Sequence, residues 1–296
     1  MICFPNAKIN IGLTITGKRA DGFHNIESVM YPLKGIVYDA LEIVESLKFK
    51  VQCSGIMIPG NENENLCVKT YNLIKKDYPQ LPPIKIYLNK VIPIGAGLGG
   101  GSADAAFFIR LLNDTFELGL AWGEIHHYAK QLGSDCSFFI SNKPVFAKGK
   151  GDELESLNLS LSKYHIALVC PNIHINTAQA YSMVKLRPDP KGGNAQSPFR
   201  SDDSEDDEYR TPSEDLGQIV IKLPIEDWKN KISNDFENVI FPQYPEIKKI
   251  KEKLYALGAV YASMSGSGSS VYGIFKKEPK VKEKFVKYQV WEGSFT

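Results

Sequence analysis

No apolar run in the sequence approaches the roughly 20 residues that span a bilayer, so no membrane helix is expected. No CxxC pair occurs among its five scattered cysteines, Cys3, Cys53, Cys67, Cys136 and Cys170. Their odd number and spacing argue against a disulfide framework or a zinc site and for a reducing compartment. Neither sign of charge is in excess. A net charge of +1 supplies no global attraction to nucleic acid or an anionic membrane surface. Met1-Ile2-Cys3-Phe4-Pro5 lacks a basic stretch followed by an apolar core, so no secretory leader is expected. No repeat of fixed period is present. What remains is the composition of a globular protein expected in the cytoplasm, and 296 residues are enough to bury two cores.

Periodicity places the elements. Ile9, Ile11, Leu13 and Ile15 alternate with Lys8, Asn10, Gly12 and Thr14, the mark of a half-buried strand. Strands are expected at 28–32, 39–44, 49–54, 84–89, 166–169, 259–264 and 271–275, with a hairpin over 144–154. Helices are expected at 66–76, 103–112, 122–132 and 245–257, and a further one N-capped by Thr177. The stretch 186–217 is different. It is rich in proline and glycine and carries Ser201-Asp202-Asp203-Ser204-Glu205-Asp206-Asp207-Glu208, so it is expected to be a disordered acidic insertion, with order resuming near Trp228.

Between the strand at 84–89 and the next helix lie Pro93, Ile94, Gly95, Ala96, Gly97, Leu98, Gly99, Gly100, Gly101, Ser102 and Ala103. Glycine permits positive φ and close backbone approach, and a helix start offers unpaired N–H groups with a positive dipole end. Together these favour phosphate. Ser102 can cap the helix or reach a phosphate oxygen or a magnesium ion. Three familiar schemes do not fit. A dinucleotide fingerprint needs an acidic residue ending a following strand, and none is apparent. A P-loop needs a lysine inside the loop, and there is none. A protein-kinase loop joins two strands, and no His-Arg-Asp or Asp-Phe-Gly triplet occurs. The cation must therefore come from elsewhere.

Three segments in order then resemble the GHMP kinases: Pro5-x-Ala7-Lys8-x-Asn10, the loop at 93–103, and Met264-Ser265-Gly266-Ser267-Gly268-Ser269. Further stretches, Thr16 to His24, Leu132-Gly133-Ser134-Asp135, Asn172 to Tyr181 and Asn234-Asp235-Phe236-Glu237, resemble one branch of them. That branch acts on a cytidyl diphosphate sugar alcohol in non-mevalonate isoprenoid biosynthesis. The resemblance implies an α+β protein with an S5-like first domain, a ferredoxin-like second domain and the active site in the cleft between them. A boundary near 160 would give domains 1–160 and 161–296. It implies ATP with Mg2+ as cofactor, no dedicated protein metal site, small-molecule partners, no nucleic acid or membrane, and a monomer or homodimer. Two alternatives stand beside it: a kinase of the homoserine or mevalonate type, and a non-catalytic binding protein on the same fold.

Asp135 follows a helix-ending glycine, where a carboxylate can either cap the next helix or take a proton from an attacking hydroxyl. The resemblance pairs it with Lys8 as the catalytic couple. It also implies that Phe23 and Tyr181 sandwich a cytosine ring, that His24 reaches its polar edge, and that Asn10 and Thr177 line the acceptor pocket. Phe23 stands where tyrosine is usual and Tyr181 where phenylalanine is usual. Ala103 replaces a more usual serine, and Cys136-Ser137 replace an apolar residue and proline. Cys136 lacks an evident thiol-activating partner, and His126, His127, His165 and His174 show no ligand spacing.

Overall fold

The structure is a computed structural model that describes residues 1–184 and 215–296. It groups into two compact units. The first comprises Met1–Lys8, Pro32–Ile94 and Leu98–Lys143, and the second Ile9–Tyr31, Gly95–Gly97 and Pro144–Thr296. This grouping cuts across a linear division at 160. The strands around Ile11 and Val29 belong with the later part of the chain.

In the first unit a four-stranded sheet has the order Ile2–Cys3, Ala40–Glu45, Ile84–Lys90, Lys50–Gly55. The last pair is parallel and the others antiparallel. The helices Leu66–Asp77, Gly100–Phe116, Trp122–Leu132 and Ser134–Ser141 pack among themselves. Their core includes Val68, Phe108, Ile109, Leu112, Phe138 and Phe139, all buried. Strand Ile84–Lys90 shows strict alternation, with Ile84, Ile86 and Leu88 inward. Lys90 falls on that same inward face, and a buried ammonium needs partners.

The second unit has two sheets. One runs Lys8–Lys18, His24–Pro32, Val145–Lys148, Glu153–Ser156. The other is antiparallel, in the order Tyr261–Met264, Val271–Phe275, His165–Cys170, Gln289–Ser294. Residues Ala167, Val169, Ala262, Met264, Val271 and Val290 face helices Phe236–Ile240 and Pro245–Ala256 in one apolar core. Strand Gln289–Ser294 was not expected from the sequence. Its apolar alternation is short, and it is fixed by pairing with His165–Cys170 rather than by its own pattern.

Other expectations are corrected. The first strand is buried on both faces through Leu13, not one. Gly12 accounts for part of this, since a Cβ there would stand 2.7 Å from Ile232 and 3.0 Å from Leu216. The helix expected at 103–112 begins at Gly100, inside the glycine loop. Most of 186–217 lies outside the described residues, but its last three do not. Asp215 N-caps helix Leu216–Lys222 by accepting from Gln218 N at 2.8 Å. Leu216 is buried and Gly217 lies against the Phe146 ring, so a packed helix stands here, ahead of Trp228, where order was expected to resume.

Candidate active site

The glycine segment contributes to both units, Gly95–Gly97 to the second and Leu98–Ala103 to the first. In the first unit Gly99 has φ +71° and takes the N-cap position of helix Gly100–Phe116, accepting from Ala103 N at 2.9 Å. Ser102 is therefore the third helical residue and not the cap. Gly100, Gly101 and Ser102 form the first turn, whose amides lack intrahelical acceptors and suit an anion. A side chain at Gly99 would collide with the Phe139 ring at 2.9 Å and approach Lys8 Cε at 3.3 Å.

Lys8 thus sits directly beside the helix start. Its side chain is 5% exposed, and its Nζ lies 3.5 Å from Oδ2 of Asp135, which is 28% exposed. The structure therefore joins the two residues expected to be the catalytic couple. Asp135 is neither in a turn nor an N-cap. Gly133 takes the capping position, and Asp135 is the second residue of helix Ser134–Ser141, where the helix dipole favours a carboxylate. Its neighbour Cys136 is buried, and burial pushes its thiol up to about 12 despite a hydrogen bond with Ser102. A thiol held in that form is no nucleophile. The replaced proline leaves Ser137 with a buried hydroxyl that has no partner. Ala103 is fully buried.

Two features of this unit escape the motif reading. Lys90 pairs with Asp39 and, at 2.6 Å, with Asp104. Asp39 Oδ1 accepts from Val91 N at 2.6 Å and Ile92 N at 2.9 Å, the residues that lead into the glycine loop. Burial raises the Asp104 carboxyl to about 8. Burial alone would lower the Lys90 ammonium, but the two carboxylates outweigh it and raise it. The signal was the inward register of Lys90. The second feature is a cleft of about 420 Å³ lined by Val51, Cys53, Gly55, Met57, Glu62 and Asn65. Gly55 abuts the Lys90 carbonyl, and Leu66 touches the Gly101 position at 3.7 Å, so the cleft adjoins the helix start.

In the second unit Gly97, at φ +78°, passes so close to the Ser265–Ser270 loop that a Cβ would lie 1.8 Å from the Ser265 carbonyl oxygen. Ser265 Oγ donates to the Gly97 carbonyl at 2.8 Å and accepts from Asn10 N at 3.3 Å. Asn10 Nδ2 donates to Ser28 Oγ at 2.8 Å. Thr177 does not cap its helix. Asn176 does, accepting from Gln179 N at 3.1 Å, and this leaves the Thr177 hydroxyl to accept from Ser267 at 3.0 Å. His174, set aside on spacing alone, packs its ring against Gly95.

Phe23 is 59% exposed on a turn held by Asp21, with Lys150 Nζ 5.2 Å from its ring centroid. The ring stacked on Tyr181 is that of His24, at 4.9 Å and 15° between planes, while Phe236 meets Tyr181 edge-on. Burial, with the nearby Lys18 charge, holds His24 below its ordinary value, so its imidazole is neutral at pH 7. Among the described residues no three acidic, histidine or cysteine side chains converge as a metal site, and no helix is long and apolar enough to cross a membrane.

The model for the GHMP kinases N terminal domain matches residues 65–143, and that for the GHMP kinases C terminal matches 223–289. A 4-diphosphocytidyl-2-C-methyl-D-erythritol kinase of Azobacteroides pseudotrichonymphae is 50% identical over 94% of each chain. Proteins of the same name from Bacteroides fragilis (47% identical, 95% and 94% covered) and Parabacteroides distasonis (45%, 100% of each) are similar over the same span. A crystal structure of a 4-(cytidine 5'-diphospho)-2C-methyl-D-erythritol kinase superposes with a TM-score of 0.76 at 25% identity, covering 100% of this chain and 99% of that one. A mevalonate kinase from Methanococcus jannaschii shares the fold with a TM-score of 0.65 at 13% identity over 100% and 98% of the two chains. The expected two-domain α+β kinase fold holds, and the chain belongs to the 4-diphosphocytidyl-2-C-methyl-D-erythritol kinase family of the GHMP kinases.

Proposed function

We propose that the chain transfers the γ-phosphoryl group of ATP to the 2-hydroxyl of 4-diphosphocytidyl-2-C-methyl-D-erythritol, a step of non-mevalonate isoprenoid precursor synthesis. The buried Lys8 at 3.5 Å from Asp135 carries the mechanistic reading. Asp135 accepts the proton of the acceptor hydroxyl as its oxygen bonds to the γ-phosphorus and the bond to the β-phosphate oxygen breaks, releasing ADP. Lys8 stabilises the developing negative charge.

The open amides of Gly100–Ser102 and the backbone of 93–99 receive the phosphates, and the adjoining cleft near Asn65 receives the adenine. Magnesium would be held by the phosphate oxygens of ATP with the Ser102 hydroxyl, a hard oxygen donor set, and would supply charge neutralisation there. On the acceptor side the cytosine stacks between Phe23 and Tyr181. Entry on the face of Tyr181 that His24 covers displaces the neutral imidazole, freeing one donor and one acceptor for the base edge. Asn10 and Thr177 line the acceptor pocket. The enzyme works in the cytoplasm as a monomer or homodimer.

ADP release is measured with ATP, Mg2+ and the cytidyl acceptor, beside homoserine and mevalonate. Turnover of the cytidyl compound alone is expected. Preference for either small alcohol would overturn the assignment.

A further inference from the structure

The segment Asn234-Asp235-Phe236-Glu237 touches none of the proposed reacting groups, yet its polar side chains are buried and bonded to the Ser/Gly loop, the first strand and Lys251. Asn234 is 1% exposed. Its Nδ2 donates to the Met264 carbonyl at 2.9 Å and the Gly266 carbonyl at 2.8 Å, and its Oδ1 accepts from Phe236 N at 3.0 Å. Only this orientation of the amide makes all three bonds, since the reverse would set its oxygen against two carbonyls. Glu237 Oε1 accepts from Met264 N at 2.8 Å and Ser263 Oγ at 3.2 Å. Asp235 Oδ2 accepts from Ile15 N at 2.7 Å in the first strand. One short segment thus grips the Ser/Gly loop at its entry and past its first turn.

That loop closes on itself through Ser265 N donating to the Ser270 carbonyl at 2.9 Å and Gly268 N to the Ser265 carbonyl at 3.3 Å, but it lacks large side chains, and Gly266 sits at φ +57°. What it supports is specific. Ser265 bonds the Gly97 carbonyl and the Asn10 amide, Ser270 N donates to the Ala96 carbonyl at 3.3 Å, and Ser267 bonds Thr177. Donor-loop backbone and acceptor-pocket residues therefore hang on one loop, and the Met264 and Gly266 carbonyls at its start share one amide.

We infer that Asn234 is a positioning residue for phosphoryl transfer, fixing the 264–268 loop so that Gly95–Gly97, Asn10 and Thr177 are held in register. This rests on the kinase reading above. Asn234→Asp keeps the shape and the acceptor but removes both donors. Its kinetics are compared with those of Ile240→Val, a core truncation six residues on that removes none of these hydrogen bonds, both assayed well below their melting temperatures. A misplacement of about 1 Å can cost on the order of 100-fold in rate. Asn234→Asp is therefore expected to lower kcat at least tenfold with KM for both substrates changed less than threefold, while Ile240→Val keeps both constants. Should Asn234→Asp fail to fold, Ser265→Ala, which cuts the link to Gly97 and Asn10, is expected to give the same kcat loss. A kcat within twofold of wild type in the folded Asn234→Asp, or in Ser265→Ala if the first does not fold, would overturn the inference. Absence of wild-type turnover would instead defeat the kinase reading itself.

Discussion

Replacing Asp135 by Asn separates two quantities that the Lys8–Asp135 pair combines. The gross Coulomb attraction of unit charges at 3.5 Å is about 5 kcal/mol at an effective dielectric of 20. Asp135 is more than a quarter exposed, so water screens most of it, and the folding cost of Asn is about 1 kcal/mol. For a chain of this size that is a melting shift of roughly 2–4 °C. The barrier behaves differently. A positioned general base contributes about 10²–10⁴-fold, or roughly 3–5 kcal/mol. Single-turnover rates at saturating ATP should therefore fall by two to four decades while the fold barely weakens. Nucleotide affinity, followed by a fluorescent ATP analogue, should stay within threefold, because the asparagine adds no bulk and leaves the open amides of Gly100–Ser102 in place. A single-turnover rate within threefold of wild type would refute Asp135 as the base. A tenfold loss of nucleotide affinity would refute its separation from the donor site.

Removing either ring that flanks the base, by Phe23→Ala or Tyr181→Ala, should raise KM for the cytidyl acceptor by roughly 5- to 150-fold at 1–3 kcal/mol per stacked ring, leaving KM for ATP unchanged. Equal rises for both substrates would count against a base clamp. Gly97→Ala should abolish turnover, since its Cβ would meet the Ser265 carbonyl at 1.8 Å in a left-handed conformation, and an active variant would show the loop can move aside. Asp104 gives a pH signature. Its folded carboxyl is raised from 3.8 to about 8, so the folded chain keeps a proton that the unfolded chain releases, and this stability, full below pH 4, is lost as pH rises through 8. Melting of Asp104→Asn should accordingly vary less between pH 5 and 8.5 than melting of wild type, and parallel curves would overturn it. Asp215→Ala should lower stability by about 1 kcal/mol through loss of its cap, measured by urea denaturation, and an unchanged midpoint would remove the cap's role.

Most strands and helices were legible because their apolar residues recur at the period of the element, as in Ile84, Ile86 and Leu88. The errors have local causes. Helix Gly100–Phe116 begins on glycines that no propensity favours, because the left-handed Gly99 starts it and packing against Phe139 holds it. Asn176 was overlooked as a cap because Thr177 is also a good one, and only the Ser267 contact decides between them. Strand Gln289–Ser294 is set by a partner over a hundred residues away. At the site, the pairing of Lys8 with Asp135 was legible only through the resemblance to the GHMP kinases. The cleft near Asn65 was not legible at all, since its lining residues carry no pattern of their own and converge only in three dimensions.

The Asp39–Lys90–Asp104 trio has a consequence for how this chain can change. Removing Lys90 leaves two buried acids without their cation, at a cost of roughly 3–5 kcal/mol, whereas exchanging all three for apolar residues of similar volume is often neutral or favourable. Lys90 will thus look immutable in a one-at-a-time mutational scan, while a library varying the three together contains folded members. The barrier between those sequences is one of route rather than destination, and it confines drift at the entrance to the glycine loop to concerted steps.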